Sequence, residues 1–138
     1  RIVKFEGLDS MMVGAWPHED QSEIFILSLK GSLHFFDAQT GELKSVLKTR
    51  EKATPNEFRM VCLSPDRRLL ALRQQGNFQT VELWNVEERS LVTVMRAHHG
   101  QINAMVFSPD SQWLATASND YTVKAWPVGL FVQPTVSE

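Results

Sequence analysis

The sequence predicts an all-β protein made of about three four-stranded antiparallel units. Short runs of apolar, β-branched and aromatic residues alternate with turn signals along most of the chain. One turn, Ser64-Pro65-Asp66, recurs one unit later as Ser108-Pro109-Asp110. The aromatic residues Phe36, Trp84 and Trp126 each close a run at a similar spacing. A period of roughly 40–45 residues with several strands per period indicates a repeat architecture in which each unit packs on its neighbours.

The first unit spans about residues 8–47. Its four predicted strands are residues 11–15, 23–29, 32–36 and 43–47. Residues 16–20 form the turn between the first two strands, with Pro17 aligned to Pro109. The third strand ends in Phe36-Asp37, and a short strand is also predicted before the unit, at residues 1–5, where polar and apolar residues alternate.

The second unit spans about residues 57–95 and follows a polar loop, residues 48–56. Its four predicted strands are residues 58–63, 68–73, 79–84 and 91–95. Runs such as Leu69–Leu72 lack a clean polar–apolar alternation. We therefore expect the middle strands to be buried on both faces, because a strand with one solvated face would alternate.

The third unit spans about residues 98–132. Its predicted strands are residues 104–107, 113–118 and 122–126, with residues 128–132 as an outer strand. Ser108-Pro109-Asp110-Ser111 suits a tight turn, because proline presets φ and aspartate can bond the nearby backbone. A second tight turn, Asn119-Asp120-Tyr121, joins the next two strands, and the last six residues, 133–138, form a tail.

Four polar residues of the third unit are spaced so that strand pairing can bring them to one end of the sheet. Asp120 in the turn can accept a hydrogen bond from His98 in the incoming loop. The imidazole can reach the hydroxyl of Ser118, which can accept from the indole N–H of Trp126. Such a chain would satisfy four buried groups and fix the strand register.

Residues 98–126 resemble a WD repeat, one blade of a β-propeller. The pattern of that family is Gly-His, then Ser-Pro-Asp-Gly, then Ser-x-Asp, and a strand ending in Trp-Asp. Here Ala97-His98 replaces the first pair, Ser111 ends the first turn, and Trp126-Pro127 replaces the last pair. By this resemblance His98, Ser118, Asp120 and Trp126 are the structural tetrad of the repeat.

The resemblance implies a partial β-propeller, here a single WD-repeat region over residues 1–138. Propellers typically close with four to eight blades, so three blades would not close a ring. The chain is therefore expected to be a segment of a longer propeller, a partial propeller completed by a partner or a second copy, or an open stack. That the first residue is Arg1 rather than methionine favours a fragment or a processed chain.

The resemblance also implies a non-catalytic scaffold that binds a protein or peptide partner. In WD propellers the narrow face, formed by the loops before strand one and between strands two and three, commonly docks partners. Carried over by position, the candidate partner-binding residues are Asp9, Met11, Glu57, Arg59, Asn77, Gln101, Asn103 and Asn119.

No catalytic, metal-binding or cofactor-binding residues are predicted. Ser118, His98 and Asp120 have the composition of a hydrolase triad, which is a remote alternative because the serine lies within a strand and lacks a Gly-x-Ser-x-Gly elbow. No histidine, cysteine or acidic pair has a recognised zinc spacing, although His18-Glu19-Asp20 supplies ligand-type side chains.

The composition indicates which classes of partner and which cellular compartment are favoured. The chain has 138 residues, of which 43% are hydrophobic and 22% are charged, and its formal net charge is −2. With this net charge the chain has no overall positive potential that would attract nucleic acid. The single cysteine, Cys62, excludes an internal disulfide and favours an intracellular, reducing setting, either cytoplasmic or nuclear. No run is long and apolar enough to predict a membrane span.

Overall fold

The structure, a computed structural model, describes residues 2–8, 12–18, 20–28, 32–48, 60–74 and 76–132, and only the backbone of Val13 and Val132. Eleven β-strands and one 3₁₀ helix form the regular structure of these ranges. The strands make three antiparallel sheets, two of four strands and one of three. The predicted all-β fold of three repeated units is confirmed. By compactness the chain divides into Arg1–Arg59, which holds the first sheet, and Met60–Glu138, which holds the other two.

The first sheet is a meander in which consecutive strands pair in order. Its strands are β1 (Met12–Pro17), β2 (Glu23–Ser28), β3 (Ser32–Asp37) and β4 (Leu43–Lys48). Aromatic rings fill its centre: Phe25 and Phe35 lie 6.1 Å apart between centroids, and Trp16 stacks on Phe25 at 5.8 Å. The carboxylate of Asp37 accepts the N–H groups of Gln39 and Thr40, which closes the turn into β4.

Two expectations for the first unit are wrong. Residues 2–8 form no strand and pair with no sheet; Phe5 instead packs edge-on against the ring of Phe36, 5.3 Å away between centroids. Pro17 does not align with Pro109, since it belongs to β1. His18 takes the position of the turn serine instead, and its N–H donates to Glu23 O over 2.8 Å.

The second sheet has the same order, with β5 (Val61–Leu63), β6 (Leu69–Arg73), β7 (Thr80–Asn85) and β8 (Ser90–Arg96). All five residues of β6 are buried, as are five of the six in β7. The expectation of middle strands buried on both faces therefore holds for this sheet. The side chain of Asn85 accepts the N–H of Glu88 over 2.8 Å and so closes the turn into β8.

The third sheet contains β9 (Ile102–Phe107), β10 (Trp113–Ser118) and β11 (Val123–Pro127). The predicted outer strand at 128–132 is wrong, because Gly129–Val132 forms a 3₁₀ helix. Pro127 stands where Asp37 and Asn85 accept turn N–H groups in the other sheets, and it has no side-chain acceptor. The N–H of Val128 still donates to Gln112 O, as the N–H of Val86 donates to Arg68 O in the second sheet, and the N–H of Gly129 donates to the same carbonyl.

The Ser-Pro-Asp turns of the second and third sheets make matching hydrogen bonds. The hydroxyl of Ser64 accepts the N–H of Leu69 over 3.0 Å, and that of Ser108 accepts the N–H of Trp113 over the same distance. Each serine also donates to the aspartate two residues later. The predicted turns are confirmed, and their equivalence shows that the two sheets repeat in geometry as well as in sequence.

The second and third sheets share one hydrophobic core. Its buried members are Leu69, Ala71, Val81, Leu83, Ala97, Ile102, Phe107, Leu114 and Val128. Backbone bonds add to the packing: the N–H of Ala97 donates to Gln79 O over 2.9 Å, and the N–H of Ile102 donates to Phe78 O over 2.8 Å. These bonds hold the segment before β9 and therefore determine where His98 lies.

Candidate functional site

A chain of hydrogen bonds joins four side chains at one end of the third sheet. The ring of His98 is central: its Nδ1 is 2.9 Å from Asp120 Oδ2, and its Nε2 is 2.7 Å from Thr116 Oγ1. The indole Nε1 of Trp126 donates to the same threonine oxygen over 3.0 Å. His98 and Thr116 are buried, so the chain supplies partners to polar groups that are shielded from water.

The direction of each hydrogen bond follows from the acceptor at the end of the chain. An ionised carboxylate can only accept, so the Nδ1–H of His98 donates to Asp120. A neutral imidazole then presents Nε2 as an acceptor for the hydroxyl of Thr116. That hydroxyl still has a lone pair for the N–H of Trp126. Every donor in the chain meets an acceptor, so the network is complete without water.

Ser118 was predicted to belong to this hydrogen-bond network but is not part of it; Thr116 takes its place. Both side chains are on the same face of β10, but Trp126 pairs across from Leu114, one step along that face from Thr116. Ser118 lies four residues from Leu114, about 13 Å along the strand, which is beyond the reach of the indole. The Ser118 hydroxyl instead accepts the N–H of Asp120 over 3.1 Å and stabilises the turn.

The carboxylate of Asp120 is the most strongly hydrogen-bonded acid of the third sheet. It accepts from the hydroxyl and the N–H of Thr122, from His98 and from the N–H of His99. The hydroxyl of Thr122 first, and then the other three donors, hold the pKa of Asp120 far below its ordinary value. The group is therefore ionised at neutral pH and keeps its role as an acceptor.

The second sheet has no such chain at the equivalent positions. Leu70 pairs with Trp84 as Leu114 pairs with Trp126, which places Leu72 where the third sheet has Thr116. Phe78 occupies the position of Asp120. The indole Nε1 of Trp84 is buried and has no hydrogen-bond partner within the described ranges. The equivalent tryptophan is therefore kept, but its polar partners are lost.

The first sheet keeps only the turn serine. Ile24 pairs with Phe36, so Ile26 stands at the position of Thr116 and Ser28 at that of Ser118. The hydroxyl of Ser28 accepts the N–H of Ser32, four residues later, over 3.3 Å, whereas that of Ser118 accepts from the residue two positions later; each serine bonds the backbone of the turn that follows it. Ser28 therefore belongs to the turn geometry of the repeat and not to the tetrad.

The hydrolase alternative finds no support in this geometry. Nε2 of His98, which would have to activate the serine, faces Thr116, and the hydroxyl of Ser118 is engaged by the backbone of Asp120. A general base must lie within hydrogen-bond reach of the proton that it removes. The three residues do not form a triad.

The acidic turn of the first sheet is closed by its own hydrogen bonds. Asp20 Oδ1 accepts from the hydroxyl and N–H of Ser22 and lies 2.8 Å from His18 Nδ1. These bonds, those from Ser22 first, lower the pKa of Asp20 to about 2. Glu19 lies outside the described residues. Within the ranges that the structure describes, no three histidine, cysteine or acidic side chains are grouped to hold a metal ion, and no helix there is long and apolar enough to cross a bilayer.

Four of the predicted partner-binding residues lie at one end of the second and third sheets, which we call the narrow end. These are Asn77, Gln101, Asn103 and Asn119, and all four are exposed. The N–H of Asn119 donates to Gln101 O over 2.9 Å, and the side-chain amide of Asn103 donates to that of Asn119. The other four, Asp9, Met11, Glu57 and Arg59, lie outside the described residues.

Sequence reasoning missed two residues of this region. Strand parity places Thr116 on the same face as Ser118, but only the cross-strand register, which puts the earlier residue beside Trp126, selects between them. Tyr121 lies at the tip of the β10–β11 turn with its side chain fully exposed and a φ of 67°. Packing alone does not account for a tyrosine whose backbone lies in the left-handed region and whose side chain is fully exposed to water.

Comparison with known proteins gives three kinds of similarity. The family described as "WD domain, G-beta repeat" matches residues 89–127. The chain is 33% identical over 107 residues to apoptotic protease-activating factor 1 of Danio rerio, covering 78% of this chain and 8% of that protein. It is 30% identical over 97 residues to the target of rapamycin complex subunit wat1 of Schizosaccharomyces pombe, covering 69% of this chain and 29% of that protein. The chain thus spans only a small part of these relatives.

Solved structures agree on the fold. The WD40 repeats of RRP9 superpose with a TM-score of 0.67 at 17% identity, covering 91% of this chain and 38% of that chain. The structure of U3-55K gives a TM-score of 0.67 at 18% identity, with the same coverage. At this identity the likeness concerns architecture alone. Together with the repeated sheets and the hydrogen-bonded tetrad, these matches show that the chain belongs to the WD-repeat β-propeller family.

Proposed function

We propose that this chain is a non-catalytic WD-repeat scaffold that binds a protein or peptide partner through the narrow end. The observation behind this proposal is the grouping of exposed amide side chains around Asn119, beside the exposed ring of Tyr121. Amides both donate and accept hydrogen bonds, as the backbone of a peptide does, so they match it without a charge. Tyrosine supplies apolar contact area and a hydroxyl, and it is enriched among the residues that dominate binding energy.

Rigidity supports the same proposal. The turn that presents Asn119 and Tyr121 is held by four hydrogen bonds to the carboxylate of Asp120 and by the bond from Asn119 N–H to Gln101 O. A surface that is already ordered loses less conformational entropy when a partner binds. In this proposal the tetrad contributes to binding by holding the turn, and its residues do not touch the partner.

The proposal assigns no catalytic activity to this chain. Both ring nitrogens of His98 are engaged in the tetrad, and Ser118 is used by its turn. The names of the relatives give no enzymatic activity, and one relative is named as a subunit of a complex. The net charge of −2 favours a protein partner over nucleic acid. The single free cysteine, Cys62, favours an intracellular setting.

A second candidate function is structural. In it the blades complete a propeller with a partner chain, with further blades or with a second copy of this chain. The open apolar face of the third sheet favours this candidate, because exposed apolar patches mark interaction sites.

A displayed peptide library selected on the folded chain tests the binding proposal. Selected peptides should lose about tenfold or more of their affinity for Tyr121→Ala, because a hot-spot residue contributes at least about 1–2 kcal/mol. Asn103→Ala should also weaken them. Phe131→Ala is the matched control, since this partly exposed ring lies past the opposite end of the third sheet. Loss of affinity for Phe131→Ala with none for Tyr121→Ala would place the binding surface elsewhere.

A further inference from the structure

An arginine lies buried between the second and third sheets without a carboxylate to pair with it. Arg73 ends β6 and is only 8% exposed. Its Nη1 donates to Ile102 O over 2.9 Å, and its Cζ lies 4.5 Å from the centre of the Phe78 ring. Its Nε is buried and has no hydrogen-bond partner within the described ranges. The ion pairs formed in those ranges do not include Arg73. The guanidinium is therefore shielded from water but only partly satisfied.

Such an arrangement is unfavourable for a charged group. A guanidinium keeps its charge in proteins, so Arg73 cannot become neutral when it is buried. Burial lowers the pKa of Arg73, whereas a carboxylate beside it would favour the charged form and raise the pKa. Buried charges are normally paired. Within the described ranges the second and third sheets thus hold a positive charge that lacks a counter-ion.

The repeat itself does not require an arginine at this position. The cross-strand pairs that align the three sheets place Leu27 of the first sheet and Ala117 of the third at the position of Arg73. Along β6, Leu69 and Ala71 share the face of Arg73 and belong to the hydrophobic core. An apolar side chain therefore serves the strand geometry here, and the charge needs a different explanation.

Arg73 adjoins the narrow end. The loop that follows β6 reaches this end, and the carbonyl that Arg73 bonds belongs to Ile102, at the start of β9. The exposed amides nearest along the chain to these two residues are Asn77, Gln101 and Asn103. Phe78, whose ring lies against the guanidinium, is itself 37% exposed. A peptide bound to these amides would therefore lie beside the arginine.

We propose that the narrow end recognises an acidic segment of its partner, one carboxylate of which pairs with the guanidinium of Arg73. This inference rests on the proposed partner-binding function and names the chemistry of the partner. A carboxylate matches the fork of N–H donors of a guanidinium, and their bond is strong where water is excluded. The carboxylate belongs either to an aspartate or glutamate side chain or to a free C-terminus, since both present the same two oxygens.

Three displayed peptide libraries separate these two sources. The first contains aspartate and glutamate and is fused through its C-terminus, the second lacks both residues but ends in a free C-terminus, and the third has neither kind of carboxylate. Selection on the folded chain should enrich binders from the first library for a side-chain carboxylate, or from the second for a terminal one. The third should give binders at least about tenfold weaker, because they lack the charged partner. Binders of equal affinity from the third library overturn the proposal.

A cycle across the interface tests whether Arg73 meets the carboxylate. A selected peptide and its matched amide, made by Glu→Gln, Asp→Asn or C-terminal amidation, are each titrated against the wild type and Arg73→Met. The amide should bind the wild type about tenfold or more weakly, and the two peptides should bind Arg73→Met equally. Arg96→Met is the matched control, because it removes an exposed arginine of the same sheet and should preserve the difference between the peptides.

The melting curve of Arg73→Met is recorded first, and Arg73→Gln, which keeps a donor for Ile102 O, replaces it if the methionine variant unfolds. A carboxylate effect of the same size with and without the arginine overturns the proposal and makes Arg73 a structural link between the sheets. The proposed function then stands if binding still depends on Tyr121. Peptides that lose affinity for Arg73→Met but not for Tyr121→Ala or Asn103→Ala count against the proposed function and support the carboxylate site. A selection without binders from any library overturns both.

Discussion

The second and third sheets follow the same strand geometry but are stabilised differently. In the third, Trp126 donates to Thr116, which continues through His98 to Asp120. In the second, Trp84 donates to no group within the described ranges, and Leu72 replaces the threonine. The middle strands of the second sheet are almost entirely buried, whereas the third has an open face. The comparison indicates that a hydrogen-bond network adds to the stability of the third sheet, in which packing covers only one face.

The extent to which each sheet is buried explains why the second relies on packing and the third on hydrogen bonds. A buried hydrogen bond contributes about 0.5–1.5 kcal/mol net, whereas a fully buried Leu or Val side chain contributes about 1.5–3 kcal/mol. The second sheet gains from apolar burial and retains an unpaired indole N–H as a cost. The third sheet buries fewer large side chains in its middle strand. Its hydrogen-bond network therefore has to fix the register that packing alone fixes in the second sheet.

The largest expected difference lies between Val81 and Val123, which occupy equivalent positions. Val81→Ala should lower the free energy of unfolding by about 2–3 kcal/mol, because it removes two buried methyl groups and leaves a cavity. Val123→Ala should change it by less than about 0.5 kcal/mol, since the side chain is largely in water. Urea unfolding of both variants gives the two values, and similar losses would contradict the contrast between covered and open faces.

The next contrast concerns the hydroxyl of Thr116. Thr116→Val keeps the shape of the side chain but leaves His98 Nε2 and the indole N–H of Trp126 without a partner, which should cost about 1–3 kcal/mol. Thr116→Ser keeps the hydroxyl and is the matched control. We expect the serine variant to retain more stability than the valine variant in chemical denaturation. A more stable valine variant would show that the hydroxyl contributes nothing.

A smaller difference separates the two tryptophans. Trp126→Phe removes a made hydrogen bond, whereas Trp84→Phe removes a buried N–H that has no partner within the described ranges. The two substitutions delete the same atoms, so the first should cost about 1 kcal/mol more than the second. Thermal unfolding monitored by far-ultraviolet circular dichroism measures both. Equal costs would mean that the two indoles have the same hydrogen-bonding environment.

The smallest predicted effect depends on pH. The folded pKa of Asp120 is below its unfolded value of about 3.9, so its contribution to stability is complete above about pH 4 and declines as the pH falls toward the folded pKa. Asp120→Asn should therefore be less stable than the wild type at pH 6, and the gap should narrow at pH 3. Melting curves at both values test this. The second sheet, with Phe78 at this position, has no equivalent group.

Most of the fold could be predicted because the repeat is visible in its turns and closing aromatic residues. The strand predictions fail where a single residue changes the local structure. Pro127 removes the acceptor that Asp37 and Asn85 provide, and the chain forms a 3₁₀ helix where a strand was expected. At residues 1–5 the alternation of side chains was clear, but alternation does not distinguish a paired strand from a segment that packs through Phe5 on a sheet face.

Less of the candidate site could be predicted. His98, Asp120 and Trp126 meet in one network, but the choice of Ser118 over Thr116 depends on cross-strand register, which no local pattern determines. The narrow end was expected from family resemblance, and Asn77, Gln101, Asn103 and Asn119 do lie at one end. The exposure of Tyr121 depends on turn geometry and on which of the described segments lie beside the turn, and neither can be read from the order of residues.

A double-mutant cycle on His98 and Thr116 tests the central claim, that a connected hydrogen-bond chain locks the third sheet. The free energy of unfolding is measured for the wild type, His98→Ala, Thr116→Val and the double variant. Because the two side chains share a hydrogen bond of 2.7 Å, we predict a coupling energy of about 1 kcal/mol or more. Losses that simply add, with a coupling energy near zero, would contradict the account.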